Sequence, residues 1–432
     1  VPFYQKSLCR TKPGGRLRFR PDSVIISACS RRKTTRALAI LLTALAALLV
    51  HLTWEKARLA RALRRVPRRV AVTGTRGKSG TVRLIAAGLR ASGSRVLAKT
   101  TGSRPALIFP DGSEREVPRP GPASIREQVR LVRLAERIGA DTLVAELMSI
   151  GPECLATESR GILRPQVLAL TNVRLDHLEE MGRTRGAVAS VLSEAFPDRG
   201  AVVLPAEEMD PAFEAAAARR GATLVPVAGG PSGTAPEALR WAFEPNVRLA
   251  AAVLGRFGLE RPSALAAMAA AEPDFGSLKV IRAAFGSPSR PALCVSAFAA
   301  NDPGSSAEAL DLVRQRAGLA GRPQVGLLVL REDRGDRTEQ WLAAAEAGFF
   351  RGFERVLVLG VPARAFVRKL RRSGGQAASA FEPAPWTGPK DLMDVVLRGA
   401  RREPVVVGLG NIVGPGEEIV RHWQAQGAVH DH

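Results

Sequence analysis

The sequence predicts an α/β chain with a phosphate-binding central domain, a second, Rossmann-like domain behind it and one apolar helix in front. Three observations predict this. Short β-branched runs ending in polar or Gly-rich loops alternate with helical spacers in two separate series, the pattern of parallel sheets covered on both faces. A Gly-rich loop carrying a lysine and a serine follows the first of these runs. An apolar stretch of 18 residues lies near the N-terminus. At 432 residues, 46% hydrophobic and 24% charged, the chain has a globular composition sufficient for two or three cores, unlike a disordered or collagen-like polymer.

Taken in order, residues 1–36 are basic and expected to be disordered. Ala37 to Trp54 reads ALAILLTALAALLVHLTW, flanked by Arg31, Arg32, Lys33 and Arg36 on one side and by Lys56, Arg58 and Arg61 on the other. That run is just long enough to span a bilayer. A basic segment follows it instead of a small-residue cleavage site, which favours a transmembrane anchor over a signal peptide. Residues 55–68 are expected to form a basic linker. Basic residues flank both ends about equally, so the positive-inside rule gives no orientation. The formal charge is +22, but residues 1–69 hold 17 Lys and Arg against Asp22 and Glu55, leaving only +7 for the rest. Basicity therefore belongs to the segment beside an anionic lipid surface. It argues against a nucleic-acid-binding body, which would carry its own basic face.

The central domain, residues 69–272, holds strands at Arg69–Thr73, Arg95–Lys99, Thr142–Leu147 and Val167–Thr171. Between the second and third, Ser124-Ile125-Arg126-Glu127 has the form of a capping box. Ile125, Val129, Val132, Leu134 and Ala135 supply the apolar stripe of the helix, and Gly139 its stop. Glu272 to Gly286, with Pro273, Gly276 and Gly286, is the candidate hinge. The Rossmann-like domain, residues 287–432, has strands at Ala292–Ser296, Val325–Leu330, Arg355–Leu359 and Pro404–Gly408. Cys9, Cys29, Cys154 and Cys294 show neither a C-x-x-C pair nor zinc spacing and are expected to be inert thiols.

The chemistry concentrates at strand ends. Val72-Thr73-Gly74-Thr75-Arg76-Gly77-Lys78-Ser79 follows a strand and opens a helix. Glycines there let backbone N–H groups turn toward phosphate oxygens, the lysine adds positive charge and the serine hydroxyl suits magnesium. The first glycine of the general Walker pattern would fall at Val72, so the loop keeps only G-x-x-G-K-S. Thr171-Asn172-Val173-Arg174-Leu175-Asp176-His177 follows another strand, and Glu146 closes an otherwise apolar one. Ser79, Glu146 and His177 thus offer oxygen and imidazole ligands from neighbouring strand ends, a set suited to magnesium carried with nucleotide phosphates.

Together the G-T-R-G-K-S loop, the lone strand-end glutamate and T-N-x-x-x-D-H resemble the signature of the Mur ligase superfamily of ATP-dependent amide ligases. Within it the chain resembles the membrane-anchored ligase subunits of capsule-type poly-γ-glutamate synthases (PgsB/CapB). The strings that carry this are AKTTG (Ala98 to Gly102), IFPDGSE (Ile108 to Glu114), TNVRLDHLEEMG (Thr171 to Gly182), AFAANDP (Ala297 to Pro303), REDRGDRTEQ (Arg331 to Gln340) and GLGNIVGPG (Gly408 to Gly416). The resemblance runs over about residues 37 to 420.

That resemblance implies ATP and Mg2+ as cofactors. Gly74, Thr75, Arg76, Gly77 and Lys78 would hold the phosphates, Ser79 a first magnesium, and Glu146 with His177 a second. Asn172 and Asp176 would orient the D-H loop, and Asn246 would contact adenine. Asn301, Asp302, Arg331, Asp336 and Arg337 would come from the closing C-terminal domain. Two departures stand out. No lysine lies between Lys99 and Lys279, so the carbamylated lysine of Mur ligases proper is missing, and Phe298 to Pro303 replaces their D-Y-A-H-x-P string.

The implied reaction activates a γ-carboxylate as an acyl phosphate and couples it to the amino group of glutamate, building poly-γ-glutamate at the membrane. ATP is cytosolic, which puts the body of a single-pass cell-membrane protein on the cytoplasmic side. Implied partners are glutamate and its polymer, membrane lipid, a small multi-spanning membrane subunit and an export component. Two rivals stand beside this: another Mur-type ligase acting on folate or a wall precursor, and a membrane-tethered P-loop regulatory subunit without ligase activity.

Overall fold

The computed structural model describes residues 23–102, 104–119, 121–229, 239, 242–316, 322–374, 376–398 and 403–429. The chain divides into two units, residues 1–60 and 61–432. Helix α1 covers Ser23–Arg65, and its Arg36–Arg65 part is the one helix among the described residues long and apolar enough to cross a membrane. Leu38, Ile40, Leu41, Val50 and Trp54 along it are all exposed. The Arg58 guanidinium lies over the Trp54 ring at 5.2 Å. Two expectations are corrected here. Residues 23–36 are helical rather than disordered, and the expected linker is helix as far as Arg65, because no Gly or Pro interrupts the chain from Ser23 to Val66. Pro67 then ends the helix. Residues 1–22, the rest of the segment expected to be disordered, lie outside the described residues.

Two sheets build the larger unit. The first contains β1 (Arg68–Thr73), β2 (Val96–Lys99), β3 (Ala106–Ile108), β4 (Glu114–Glu116), β5 (Thr142–Glu146), β6 (Val167–Leu170), β7 (Ala201–Pro205) and β8 (Thr223–Val227). Their order is β4-β3-β2-β5-β1-β6-β7-β8, parallel from β2 to β8. Only the hairpin of β3 and β4 runs antiparallel, on the edge, with the Phe109 to Ser113 turn closed by Gly112 N donating to Phe109 O at 2.9 Å. Around the sheet lie α2 (Lys78–Ala91), α3 (Arg126–Ile138), α4 (Pro152–Ala156) with a π-helical turn (Thr157–Leu163), α5 (Leu178–Met181), α6 (Arg185–Ser193), α7 (Pro211–Arg220), α8 (Glu244–Gly255) and α9 (Arg261–Met268).

The core fixes α2. Val82, Ile85 and Leu89 on that helix are buried in one cluster with Val70 and Val72 of β1 and with Val247 and Leu254 of α8. Each such side chain contributes about 1.5–3 kcal/mol on leaving water. The helix and the loop before it are therefore held rigidly against the sheet. The expected capping box of α3 does not form. Ser124 Oγ accepts only Arg126 N, at 3.3 Å, while the Glu127 carboxylate is taken by Lys99 and Arg119, each at 2.9 Å.

The second sheet contains β9 (Lys279–Phe285), β10 (Arg290–Ser296), β11 (Gln324–Val329), β12 (Phe353–Leu359), β13 (Phe381–Pro383), β14 (Val405–Gly410) and β15 (Gly427–Val429), ordered β13-β12-β11-β14-β10-β9-β15. Its helices are α10 (Pro303–Arg316), α11 (Gly335–Glu346), α12 (Ala363–Arg372), α13 (Pro389–Leu397) and α14 (Pro415–Gln426). The sheet is parallel from β13 to β10, while β9 pairs antiparallel with both β10 and β15. This narrows the expected hinge. β9 lies inside it and pairs with β10 from Lys279 opposite Ser296 to Phe285 opposite Arg290, so the connection from α9 is only residues 269–278. Aromatic side chains fill one face, where Trp341 meets Phe349 edge-on at 5.3 Å; Phe298 stacks on Trp423 at 6.0 Å on the other.

Candidate active site

β1 lies between β5 and β6, and the connections from these strands leave in different directions. In an open α/β sheet ligands bind beyond the carboxyl ends at such a point. Val72 pairs with Glu146, and Thr73 with Leu170, so the three predicted loops emerge side by side. The first passes through Gly77, at φ +78°, into α2. A Cβ there would fall 2.4 Å from Asn246 Nδ2, so both the backbone conformation and the close packing of α8 demand glycine. No side chain caps α2, which leaves the N–H groups of its first turn for an anion.

The loop is tied to the Asn172 loop by a lattice of hydrogen bonds. Thr75 Oγ1 donates to Asn172 Oδ1 at 2.7 Å, Arg76 N donates to the same oxygen at 3.0 Å, and Asn172 Nδ2 donates to Arg76 O at 3.2 Å. Lys78 Nζ donates to Gly74 O at 2.7 Å. Burial pulls the Lys78 ammonium below the usual lysine range, with Glu146 opposing the shift. Ser79 Oγ donates to Glu146 Oε2 at 2.7 Å, and Thr101 N donates to that oxygen at 2.8 Å. Gly102 approaches so closely that a Cβ would lie 2.6 Å from Ser79 Oγ.

A cavity of about 900 Å³ opens over these groups. Of the predicted residues, Thr75, Arg76, Gly77, Lys78, Ser79, Glu146, Asn172, Asp176, His177, Asn246, Asn301 and Arg331 line it. Gly74 does not line it and packs against the Thr171 strand end, where a Cβ would fall 2.2 Å from Thr171 Oγ1. Asp302, Asp336 and Arg337 do not line the cavity and instead belong to a charge network that joins the two sheets. Arg76 Nε donates to Asp302 Oδ2 at 2.9 Å, Arg76 Nη2 donates to Asn301 Oδ1 at 2.8 Å, and Arg76 Nη1 reaches Asp176 Oδ2 at 3.0 Å. Arg334 Nη2 lies 3.2 Å from Asp176 Oδ1, Arg337 bonds that same oxygen, and Arg334 also pairs with Asp336 at 3.4 Å.

Asp176 is 4% exposed. Burial alone would raise its carboxyl, but the guanidinium charges of Arg76, Arg337 and Arg334 outweigh burial and hold it below the usual carboxylate range. Its Oδ1 also accepts His177 N at 2.9 Å, fixing His177 in a left-handed conformation with φ +46°. Desolvation lowers the His177 imidazole below the usual histidine range, with Asp176 opposing the shift. A neutral imidazole in this cavity has a lone pair free for a cation.

The donor set fits a hard divalent cation carried on phosphates. Ser79 and Glu146 present oxygens in contact, and His177 lines the same cavity. Among the described residues no three His, Cys, Asp or Glu side chains form a metal cage. Phosphate and water oxygens would therefore complete the shell, as magnesium prefers. Lys99 is no counterpart of the missing lysine, since it is 1% exposed and paired with Glu127. Sequence reasoning passed over Thr101 and Gly102 in the AKTTG string and Arg334 in REDRGDRTEQ, although those strings contained them.

Fold and site together define a Mur-ligase-type protein: the Mur ligase middle domain matches residues 72–228. Within that superfamily the chain is similar to CapB proteins: the poly-gamma-glutamate synthase CapB C-terminal domain matches residues 283–426. It is 29% identical over 379 residues to the capsule biosynthesis protein CapB of Bacillus anthracis, covering 86% of this chain and 80% of that one. It is also 29% identical over 388 residues to PGA synthase CapB of Bacillus subtilis, covering 88% and 96%. Among solved structures the fold is similar to E. coli FolC in complex with DHPP and ADP, with a TM-score of 0.60, 18% identity, and 86% and 91% of the two chains covered. A Yersinia pestis bifunctional folylpolyglutamate synthase/dihydrofolate synthase with Mn, AMPPNP and L-glutamate bound gives a TM-score of 0.59 at 18% identity, covering 86% and 92%.

Proposed function

We propose that this protein is an ATP-dependent ligase that joins a γ-carboxylate to the amino group of glutamate, extending poly-γ-glutamate. The observation that carries the reading is the contact of Ser79 with Glu146 beside the Gly74 to Ser79 loop, in a chain that matches CapB proteins along most of its length. A carboxylate is a poor electrophile. Attack of its oxygen on the γ-phosphorus releases ADP and leaves an acyl phosphate; attack of the glutamate amine then forms the amide and expels phosphate and a proton. Backbone N–H groups at the start of α2, with Lys78, would hold and neutralise the phosphates. Asn172 locks that loop, and Asn246 packs on it at Gly77. Magnesium, held by Ser79, Glu146 and His177, would supply charge neutralisation across the transferred phosphoryl group. Catalysis of this kind is mostly positioning and electrostatics.

In this reading α1 is a single-pass anchor, the body faces cytosolic ATP, and the polymer leaves through a small multi-spanning partner and an export component. Asn301 and Arg331, which enter the cavity from the second sheet, would contact nucleotide or acceptor, while Asp302 and Arg337 tie the two sheets together around them and Asp336 pairs with Arg334. The test is ADP release by the detergent-solubilised full chain from magnesium-ATP, with and without glutamate. Release that requires glutamate and is lost in Lys78→Ala supports the ligase; release indifferent to glutamate refutes it.

A further inference from the structure

Glu146 is useful only if its carboxylate is fixed, yet it is the last residue of β5. Beyond it the sheet contributes a single hydrogen bond, Leu147 N donating to Val72 O at 2.9 Å. Ser79 Oγ and Thr101 N hold the carboxylate itself, and the remaining support for the backbone comes from two side chains that never reach the cavity. Gln128 of α3 donates its Nε2 to the carbonyl of Glu146 at 3.0 Å and to Glu158 Oε1 at 2.6 Å. Glu158, in the π-helical turn, accepts Met148 N at 3.0 and 3.2 Å and Ser149 N at 3.0 Å. Both side chains are 0% exposed.

A fully buried carboxylate is costly unless its oxygens are saturated by donors. Here every donor but Gln128 is a backbone N–H, of Met148 or Ser149, two and three residues beyond the end of β5, so the carboxylate fixes that turn. The wide π turn places Glu158 there, and such turns recur beside functional sites. We propose that Gln128 and Glu158 are positioning residues that clamp the backbone at Glu146 and just beyond it, and so aim its carboxylate at Ser79 for a divalent cation. The inference rests on the reading of Glu146 as a metal ligand given above. Groups that orient a metal ligand from behind typically change metal affinity by about 10- to 100-fold when lost.

The experiment uses the full chain in detergent with a non-hydrolysable ATP analogue, titrated with manganese(II) while free Mn2+ is followed by electron paramagnetic resonance. Glu158→Gln and Gln128→Met should each raise the Mn2+ dissociation constant about tenfold or more. Metal-free nucleotide affinity should stay within twofold of the parent, and Glu146→Gln should weaken Mn2+ at least as much. Adding Glu158→Gln to Glu146→Gln should weaken it no further. A purely structural role would instead lower nucleotide affinity and melting temperature alike. The clamp is overturned if Glu146→Gln weakens Mn2+ while the other two variants do not, or if Glu158→Gln weakens it equally in the Glu146→Gln background. Unchanged Mn2+ affinity in Glu146→Gln removes the metal-ligand reading, and the clamp falls with it.

Discussion

Replacing Asp176 with asparagine keeps its shape and removes the charge that three arginines share. Two of them retain an anion, since Arg76 keeps Asp302 at 2.9 Å and Arg334 keeps Asp336 at 3.4 Å. Arg337 does not. It is 5% exposed, and its other bonded partner among the described residues is the neutral amide oxygen of Gln340 at 2.9 Å. The loss therefore concentrates on one guanidinium left buried without its anion, a change that costs about 3–5 kcal/mol. A unit of roughly 370 residues melts with an entropy of about 0.8 kcal/mol/K, so 3 kcal/mol corresponds to a fall of about 4 °C. The assay is thermal unfolding of the solubilised chain for Asp176→Asn, Arg337→Leu and the double variant. Removing both charges leaves nothing buried and unpaired, and the double variant should recover most of the lost stability. A shift within about 0.5 kcal/mol for Asp176→Asn, or no recovery in the double variant, would refute the assignment of Asp176 as the anion for Arg337.

Three further outcomes are expected. Lys78→Ala should abolish ATP turnover while the melting temperature stays within about 2 °C of the parent, as the lysine binds only loop carbonyls in the protein itself. Gly77→Ala should weaken ATP binding at least tenfold in a fluorescent-nucleotide titration, because its Cβ meets Asn246 and its φ is +78°. Glu127 bears on acid stability. Burial alone would raise its carboxyl, yet Arg119 and Lys99 bring it down to about 2, against an ordinary 4.5. A lowered carboxylate adds stability that is complete above pH 4.5 and disappears as pH falls toward 2, here about 3 kcal/mol. In urea titrations the advantage of the parent over Glu127→Gln should shrink across that window, and a gap that holds constant or widens would contradict it.

Much of this was legible in the sequence, for a physical reason. The eight strands read from β-branched runs all exist, because a parallel strand buried on both faces must be continuously apolar and so marks itself locally. Of the strands that escaped, β3, β4, β13 and β15 are three residues each and sit at or beside sheet edges, where little apolar patterning is required, whereas β7 and β8 have five residues each and β7 is buried throughout, so that reason does not cover them. β9 escaped because the Pro and Gly around it read as hinge. The loop at Gly74 to Ser79 was readable because its chemistry is contiguous in sequence. The network around Asp176 was not, since Arg76, Asp302, Arg334 and Arg337 come from segments far apart in the chain. Glu127 shows the same limit from the other side. Its spacing from Ser124 spelled a cap, but Lys99 and Arg119, invisible to local pattern, offered it two charges instead of one backbone N–H.

The central claim is that turnover at this site lengthens a chain of glutamate. The most direct test is mass analysis of the products formed by the solubilised protein, co-expressed with its genomic neighbours, from magnesium-ATP and glutamate, alongside the ADP released. The account predicts a ladder of glutamyl increments with one ADP for each bond formed, absent in Lys78→Ala. ADP accumulating without any ladder would contradict it.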